Sequence, residues 1–299
     1  MHRPSTELVV ESHLRNHVYP TLGARPLAAI RQSAIQALVK DLSDQLAPRT
    51  VEVIYRYIVS IFRSAVADRV ITTSPCTKVR LPKIEPARVE PLTVDQVWAL
   101  SAAMPARYQA LIITAAGTGM RQGECLGLTL DRIDFLRRRL TVDRQLLLLV
   151  GKPPEHAPPK TAASYRTVPL PNVVLDALAS HLARYPPPAD GLVFTNDAGK
   201  PIRRNRLSDL LRTAVDHAEV PADTRFHDLR HHYASLLIRH GESVKTVQAR
   251  LGHASASETL DTYAHLWPDS EDRTREAVDL ALGKVQELAE HRRTGARRD

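Results

Sequence analysis

Apolar residues between Leu27 and Leu46 recur at Ile30, Ala34, Leu38 and Leu42, close to a four-residue period that predicts an amphipathic helix. Pro48-Arg49-Thr50 opens a second helix, with Thr50 as its expected cap and an apolar stripe at Val51, Ile54, Ile58, Ile61 and Ala65. Arg49, Arg56 and Arg63 repeat every seven residues on another face. That row reads either as a solvated face or as a line of phosphate contacts. Upstream, Glu11 to Ile30 has the pattern of a first helix and turn. The stretch Leu81-Pro82-Lys83-Ile84-Glu85-Pro86-Ala87-Arg88-Val89-Glu90-Pro91 cannot continue a helix, because three prolines and alternating charge favour extended backbone. The expected division is a helical domain over 1–85, a linker over 86–91 and a second domain over 92–299.

In the second domain Thr93 and Gln96 have capping-box spacing at the start of a helix reaching about Met104. Another helix, from about Ala106, ends at the Gly117-Thr118-Gly119 turn, and a short one follows Arg121 from Gln122 to Leu128. Leu140-Thr141-Val142, then Gln145 to Val150, then Tyr165 to Leu170 read as short strands. Gly151 to Thr161, rich in proline, connects the last two. Helical segments are expected near 171–184, 203–217, 227–240, 243–250 and 255–262. A final amphipathic segment, 269–289, leads into a basic tail. The expected fold class is mainly α with a small antiparallel sheet (α+β).

At 299 residues the chain is long for one core and comfortable for two. Its 43% hydrophobic content is ordinary for a soluble protein, and no apolar run approaches the roughly 20 residues of a membrane span. The N-terminal residues carry no apolar stretch resembling a secretory signal. Cys76 and Cys125 make neither a disulfide framework nor a metal knuckle, which fits a reducing cytoplasm. The net charge of +8 favours a polyanionic partner through counterion release. Residues 1–90 hold 13 Lys+Arg against 8 Asp+Glu, so much of the excess lies there.

The candidate chemistry is spread over the second domain. Thr118-Gly119-Met120-Arg121-Gln122-Gly123-Glu124 comes first. His227-Asp228-Leu229-Arg230, Leu251-Gly252-His253 and Thr262-Tyr263-Ala264-His265 follow. Arginine suits a phosphodiester because its planar fork donates bidentate hydrogen bonds and stays charged. A phenol, with an ordinary pKa near ~10, attacks phosphorus only where its surroundings favour loss of the proton. His227 and His231 also have i,i+4 spacing, which by itself admits a metal site. The second position holds Asp228 where zinc-protease helices carry Glu, and no metal is expected. His231 and His232 are expected to pack or cap their helix.

Ordered in this way, these motifs resemble the tyrosine recombinase (phage-type integrase) family over nearly the whole chain. The resemblance implies a core-type, SAM-like DNA-binding domain followed by a catalytic domain of the DNA breaking-rejoining type. It makes Arg121, His227, Arg230, His253 and Tyr263 catalytic, with Glu124 steadying the site from behind. Lys160, in the run Lys160 to Leu170 that resembles the family's hairpin, becomes the acid for the leaving oxygen, with Lys152 as local rival. Ser164 and Arg166 become backbone contacts, alongside Arg49, Arg56 and Arg63. The implied activity is integration and excision of a mobile element through a 3′-phosphotyrosine intermediate, with no cofactor, metal or ATP. The implied partners are double-stranded DNA and a homotetramer in which segment 269–289 docks between protomers; the resemblance also leaves room for a directionality factor. The implied location is cytoplasmic and nucleoid-associated. Two other readings are a type IB topoisomerase-like relaxing enzyme and a non-catalytic DNA-binding remnant. Many integrases carry a further arm-binding domain. Its absence before Glu11 suggests an arm-less recombinase or a true start upstream of Met1.

Overall fold

The protein is described by a computed structural model, covering residues 4–85, 88–148, 152–159, 161–267, 274–276 and 278–282. The chain divides into two compact units, Met1–Ala87 and Arg88–Asp299.

The first unit is helical. α1 (Pro4–His13) continues through a π-type turn, Leu14–Val18, into α2 (Tyr19–Leu22), and α3 (Gln32–Ser43) and α4 (Pro48–Ala67) follow. α3 begins later than its periodicity suggests: a 3-10 turn follows Pro26, and Ile30 is extended. Its buried stripe is Ile35, Leu38, Val39 and Leu42, so Ala34 is not part of the central row. α4 starts at Pro48, where proline's missing N–H costs nothing; Ala47 holds the cap position and Thr50 lies inside the helix. Its buried stripe ends in Phe62 and Ala65, while Ile61 is 40% exposed. Phe62 lies four residues after Ile58 and continues the stripe, whereas Ile61 falls outside it. Arg49, Arg56 and Arg63 are exposed, and Arg49 pairs with Glu52 at 3.1 Å.

The second unit is built around α6 (Ala106–Thr118), which is buried along most of its length. It packs against α5 (Val94–Ala103), α8 (Asn172–Arg184) and α10 (Phe226–Arg239). Thr93 and Gln96 form the capping box of α5. α7 is the short helix Gln122–Leu126. β1 (Ile133–Asp134), β2 (Arg139–Val142) and β5 (Arg166–Pro169) make an antiparallel sheet in the order β1-β2-β5, with Leu140 opposite Val168 in the core. β3 (Gln145–Leu147) pairs with β4 (Glu155–Ala157), a strand inside the stretch read as a plain connection. Glu-His-Ala between prolines has no alternation to betray it. α9 (Arg204–His217), α11 (Val244–Leu251) and α12 (Ala256–Tyr263) complete the unit. Of segment 269–289, residues 274–276 and 278–282 are described and helical; the rest, like the basic tail, lies outside the described residues.

Candidate active site

Two helix C-termini set the site. α6 ends at Gly119 (φ 64°) and α11 at Gly252 (φ 65°), both left-handed, a conformation open to glycine at little cost. The carbonyls at these ends carry the negative pole of the helix, so a cation is favoured beside them. Arg230 takes both opportunities: Nη1 donates to Gly119 O at 2.6 Å and Nη2 to Leu251 O at 2.7 Å. Only 2% of Arg230 is exposed. Burial, then the charges of Arg121 and Arg166, lower its pKa to about 9, which leaves it cationic at neutral pH. Two of the five N–H groups of its fork are used on these carbonyls, so the others can meet a phosphate.

Arg121 is the residue before α7. Its Nη2 donates to Gly252 O at 3.2 Å and its Nη1 to Glu124 Oε1 at 3.1 Å and Ser164 Oγ at 3.4 Å. Glu124 is buried and accepts from the Arg121 backbone N–H at 2.9 Å. Burial pushes its carboxyl up, but the hydrogen bond and charge of Arg166, followed by Arg121, outweigh this and hold it below the usual range.

Arg166 and Ser164, expected to contact DNA, turn their side chains inward. The Arg166 side chain is 4% exposed and donates to Glu124 Oε2 at 2.8 Å, Arg250 O at 2.8 Å and Ser164 O at 3.1 Å. Ser164 is buried, its hydroxyl 3.0 Å from Thr161 Oγ1. An arginine in a strand facing a buried carboxylate is an ion-pair partner, and sequence spacing alone did not reveal which carboxylate it faced.

Tyr263 closes α12 with 1% of its surface exposed. Its hydroxyl lies 2.8 Å from His231 Nδ1. Burial raises its pKa to about 12, against the lowering charge of Arg230. His253 lies with its ring parallel to Tyr263 at a centroid distance of 6.4 Å, its Nδ1 2.9 Å from Thr259 Oγ1. Burial, then the charge of Arg230, lowers the His253 pKa to about 4. His227 stands edge-on to His231, ring centroids 4.8 Å apart and planes at 87°. The protein packed against the His227 ring, followed by the charges of His231, Arg230 and Arg121, lowers its pKa, while the residue keeps an open side.

The structure therefore brings Arg121, His227, Arg230, His253 and Tyr263 together, with Glu124 behind Arg121. Lys160 lies outside the described residues, and Lys152 is exposed. His232 does hold its helix, its Nδ1 2.7 Å from Leu92 O. His231 departs from its expected packing role: it meets the phenol. The i,i+4 spacing that raised the metal question was the one signal that placed it on the His227 face. Among the described residues no cluster of His, Cys, Asp and Glu is arranged to hold a metal ion.

Two guanidinium groups and three imidazoles beside a buried phenol make a site suited to an anionic substrate and to attack by the phenol oxygen. The phage integrase family matches residues 90–269, and the phage integrase central domain matches residues 2–81. The chain belongs to the phage integrase family, the tyrosine recombinases. It is 29% identical to a XerC-like tyrosine recombinase of Caldanaerobacter subterraneus subsp. tengcongensis, over 93% of this chain and 78% of that protein. It is 32% identical to the putative prophage phiRv2 integrase of Mycobacterium tuberculosis, over 79% of this chain but 62% of that protein's length. In fold it resembles the Tn1549 transposon integrase in complex with a circular intermediate DNA, at a TM-score of 0.78, 22% identity and 94% of each chain. A lambda integrase tetramer bound to a Holliday junction matches at a TM-score of 0.68 and 20% identity, over 87% of this chain and 72% of that one. No helix among the described residues is long and apolar enough to cross a membrane.

Proposed function

We propose that this chain is a site-specific DNA recombinase in which Tyr263 attacks a backbone phosphate, forms a 3′-phosphotyrosine and frees a 5′-hydroxyl. The observation that carries this reading is the convergence of two guanidinium groups and three imidazoles, from three separate segments, around one buried phenol on a fourth. Arg121 and Arg230 receive the non-bridging oxygens. They neutralise the charge that builds up as phosphorus becomes five-coordinate, and their anchoring to helix C-termini keeps reorganisation small. His227 and His253 add hydrogen bonds to the same oxygens. Lys160 protonates the departing 5′-oxygen. The phosphodiester energy is kept in the tyrosyl link, so neither ATP nor metal is consumed.

The partner is double-stranded DNA, and the working assembly is a homotetramer on paired sites, as the lambda integrase junction complex suggests by its fold. Segment 269–289 docks between protomers. Arg49, Arg56 and Arg63 contact the duplex backbone. The 1–85 portion serves as the core-binding domain and 92–299 as the catalytic domain.

The test uses nicked suicide duplexes made from the DNA flanking the gene. The protein should become covalently attached to a 3′-phosphate, and peptide mapping should find that phosphate on Tyr263. Attachment through another residue, or none to any flanking sequence under conditions where the protein binds DNA, refutes the reading.

A further inference from the structure

The attacking phenol must lose its proton, and the residues around it differ sharply in their capacity to take it. Arg230 stays protonated at neutral pH and cannot act as a base. His253 presents its ring face to Tyr263, with Nδ1 engaged by Thr259 Oγ1 at 2.9 Å and Nε2 turned toward Glu258 Oε1 at 3.8 Å. His227, the histidine in the family's motif position, has its ring contact with His231 rather than with the phenol. His231 alone among these has a ring nitrogen in hydrogen-bond contact with the hydroxyl, at 2.8 Å, with the rings in a T-shaped arrangement at 5.6 Å. One helical turn separates His227 from His231, so the same face of α10 serves both the phosphate and the nucleophile.

We propose that His231 is the proton acceptor for Tyr263. As the Tyr263 Oη–P bond forms and the P–O5′ bond breaks, the phenol proton passes to His231 Nδ1, whose other nitrogen carries the ring's N–H. The electron pair of the broken bond leaves on the 5′-oxygen, which takes a proton from a separate acid. In rejoining, the 5′-hydroxyl gives its proton back to the conjugate base of that separate acid as it attacks phosphorus, and the imidazolium returns its proton to the departing phenolate. This rests on the reading of Tyr263 as nucleophile.

The groups facing His231 agree with such a role. On its own helix lie His227, Asp228 and Arg230, and from α12 comes Tyr263. Burial lowers the His231 pKa, the Asp228 carboxylate opposes this, and Arg230 lowers it further. The ring is thus neutral at neutral pH, as a base must be. With the phenol raised to about 12, transfer ahead of attack is strongly uphill. The proton therefore moves together with the forming bond, when the phenol oxygen becomes far more acidic.

The experiment measures covalent attachment to the nicked suicide duplex from pH 5 to 9 for wild type, His231→Asn and Tyr263→Phe. Asn places a hydrogen-bonding atom near the position of Nδ1 but takes no proton in this range. His231→Asn should bind DNA as wild type does, cleave about 100- to 10,000-fold more slowly, and lose the acid limb of the pH–rate profile. Rejoining from a preformed covalent complex should slow in parallel. Cleavage within about threefold of wild type with the acid limb intact would reduce His231 to a packing residue. If His231→Asn does not fold, His231→Gln replaces it. If that also fails, the solvent isotope effect on wild-type cleavage decides, since a ratio near one in H2O against D2O excludes transfer of the phenol proton in step with attack. Covalent attachment by Tyr263→Phe is the separate outcome that removes the nucleophile itself.

Discussion

Glu124 sits between two arginines and pairs with both, Arg121 at 3.1 Å and Arg166 at 2.8 Å. Replacing it with Gln leaves Arg166 buried beside a neutral amide. By analogy with broken interior pairs the expected cost is about 3–5 kcal/mol in denaturant unfolding. A Glu124→Leu, Arg166→Met double variant should recover much of that loss, because the uncompensated charge is gone. If the single variant unfolds like wild type, the pair carries no such weight. At Arg230 the expected effect is on rate: Arg230→Lys should reduce cleavage about 100- to 1,000-fold, since a point charge cannot hold two carbonyls and a phosphate together. His253 makes a pH prediction. Its folded pKa is about 4 against an ordinary 6.5, so on acidification the unfolded chain binds the proton first. The stability it supports is present above 6.5 and lost as pH falls from about 6.5 to about 4. His227, also lowered, adds in the same sense. Melting temperatures of His253→Gln should therefore fall less steeply over that window than those of wild type. Parallel curves would contradict this.

The helices of the second unit were legible because burial on one side imposes the 3.6-residue period wherever the helix crosses the core. α8 to α12 begin and end within two residues of their sequence expectation. Helix ends that do special work were legible for another reason, since Gly119 and Gly252 stand where left-handed backbone is required. A Cβ at Gly252 would lie 2.9 Å from Ala163 O, and one at Gly119 would lie 2.5 Å from a ring carbon of Tyr233. Gly252→Ala should cost at least about 1–2 kcal/mol in stability from the backbone alone. It should reduce cleavage further than that loss explains, because the Gly252 carbonyl holds Arg121. Cleavage at wild-type rate in a folded Gly252→Ala protein would show that this carbonyl does not position Arg121. β4 was not legible: three residues without alternation derive their strand character from β3 alone. The Ile61 to Phe62 exchange in α4 was a matter of one step, 100° of arc, between two residues of equal hydrophobic appeal.

The described residues form two hydrophobic cores, one per unit. Its positive charge belongs to the whole chain, and its effect appears in the salt dependence of DNA binding. If Arg49, Arg56 and Arg63 meet phosphates, changing all three to Ala should reduce the log–log salt slope by roughly 2.7, at about 0.9 per contact. An unchanged slope would mark them as a solvated face. EDTA should leave both binding and covalent attachment unaffected, since the proposed chemistry runs on guanidinium and imidazole groups.

Residue types and their order along the chain sufficed for the family and the fold class, and they singled out the arginines, histidines and tyrosine that the structure brings together. These follow from chemistry that few other side chains can perform and from periodicities that burial enforces locally. Which carboxylate faces Arg166, which carbonyls grip Arg230, and which histidine touches the phenol were decided by tertiary structure. Each of those contacts joins residues between 21 and 111 positions apart, and their distances depend on how the elements of the second unit pack. No local pattern encodes that packing: His227 and His231 are equivalent on a helical wheel, and only the arrival of α12 beside one of them makes the difference.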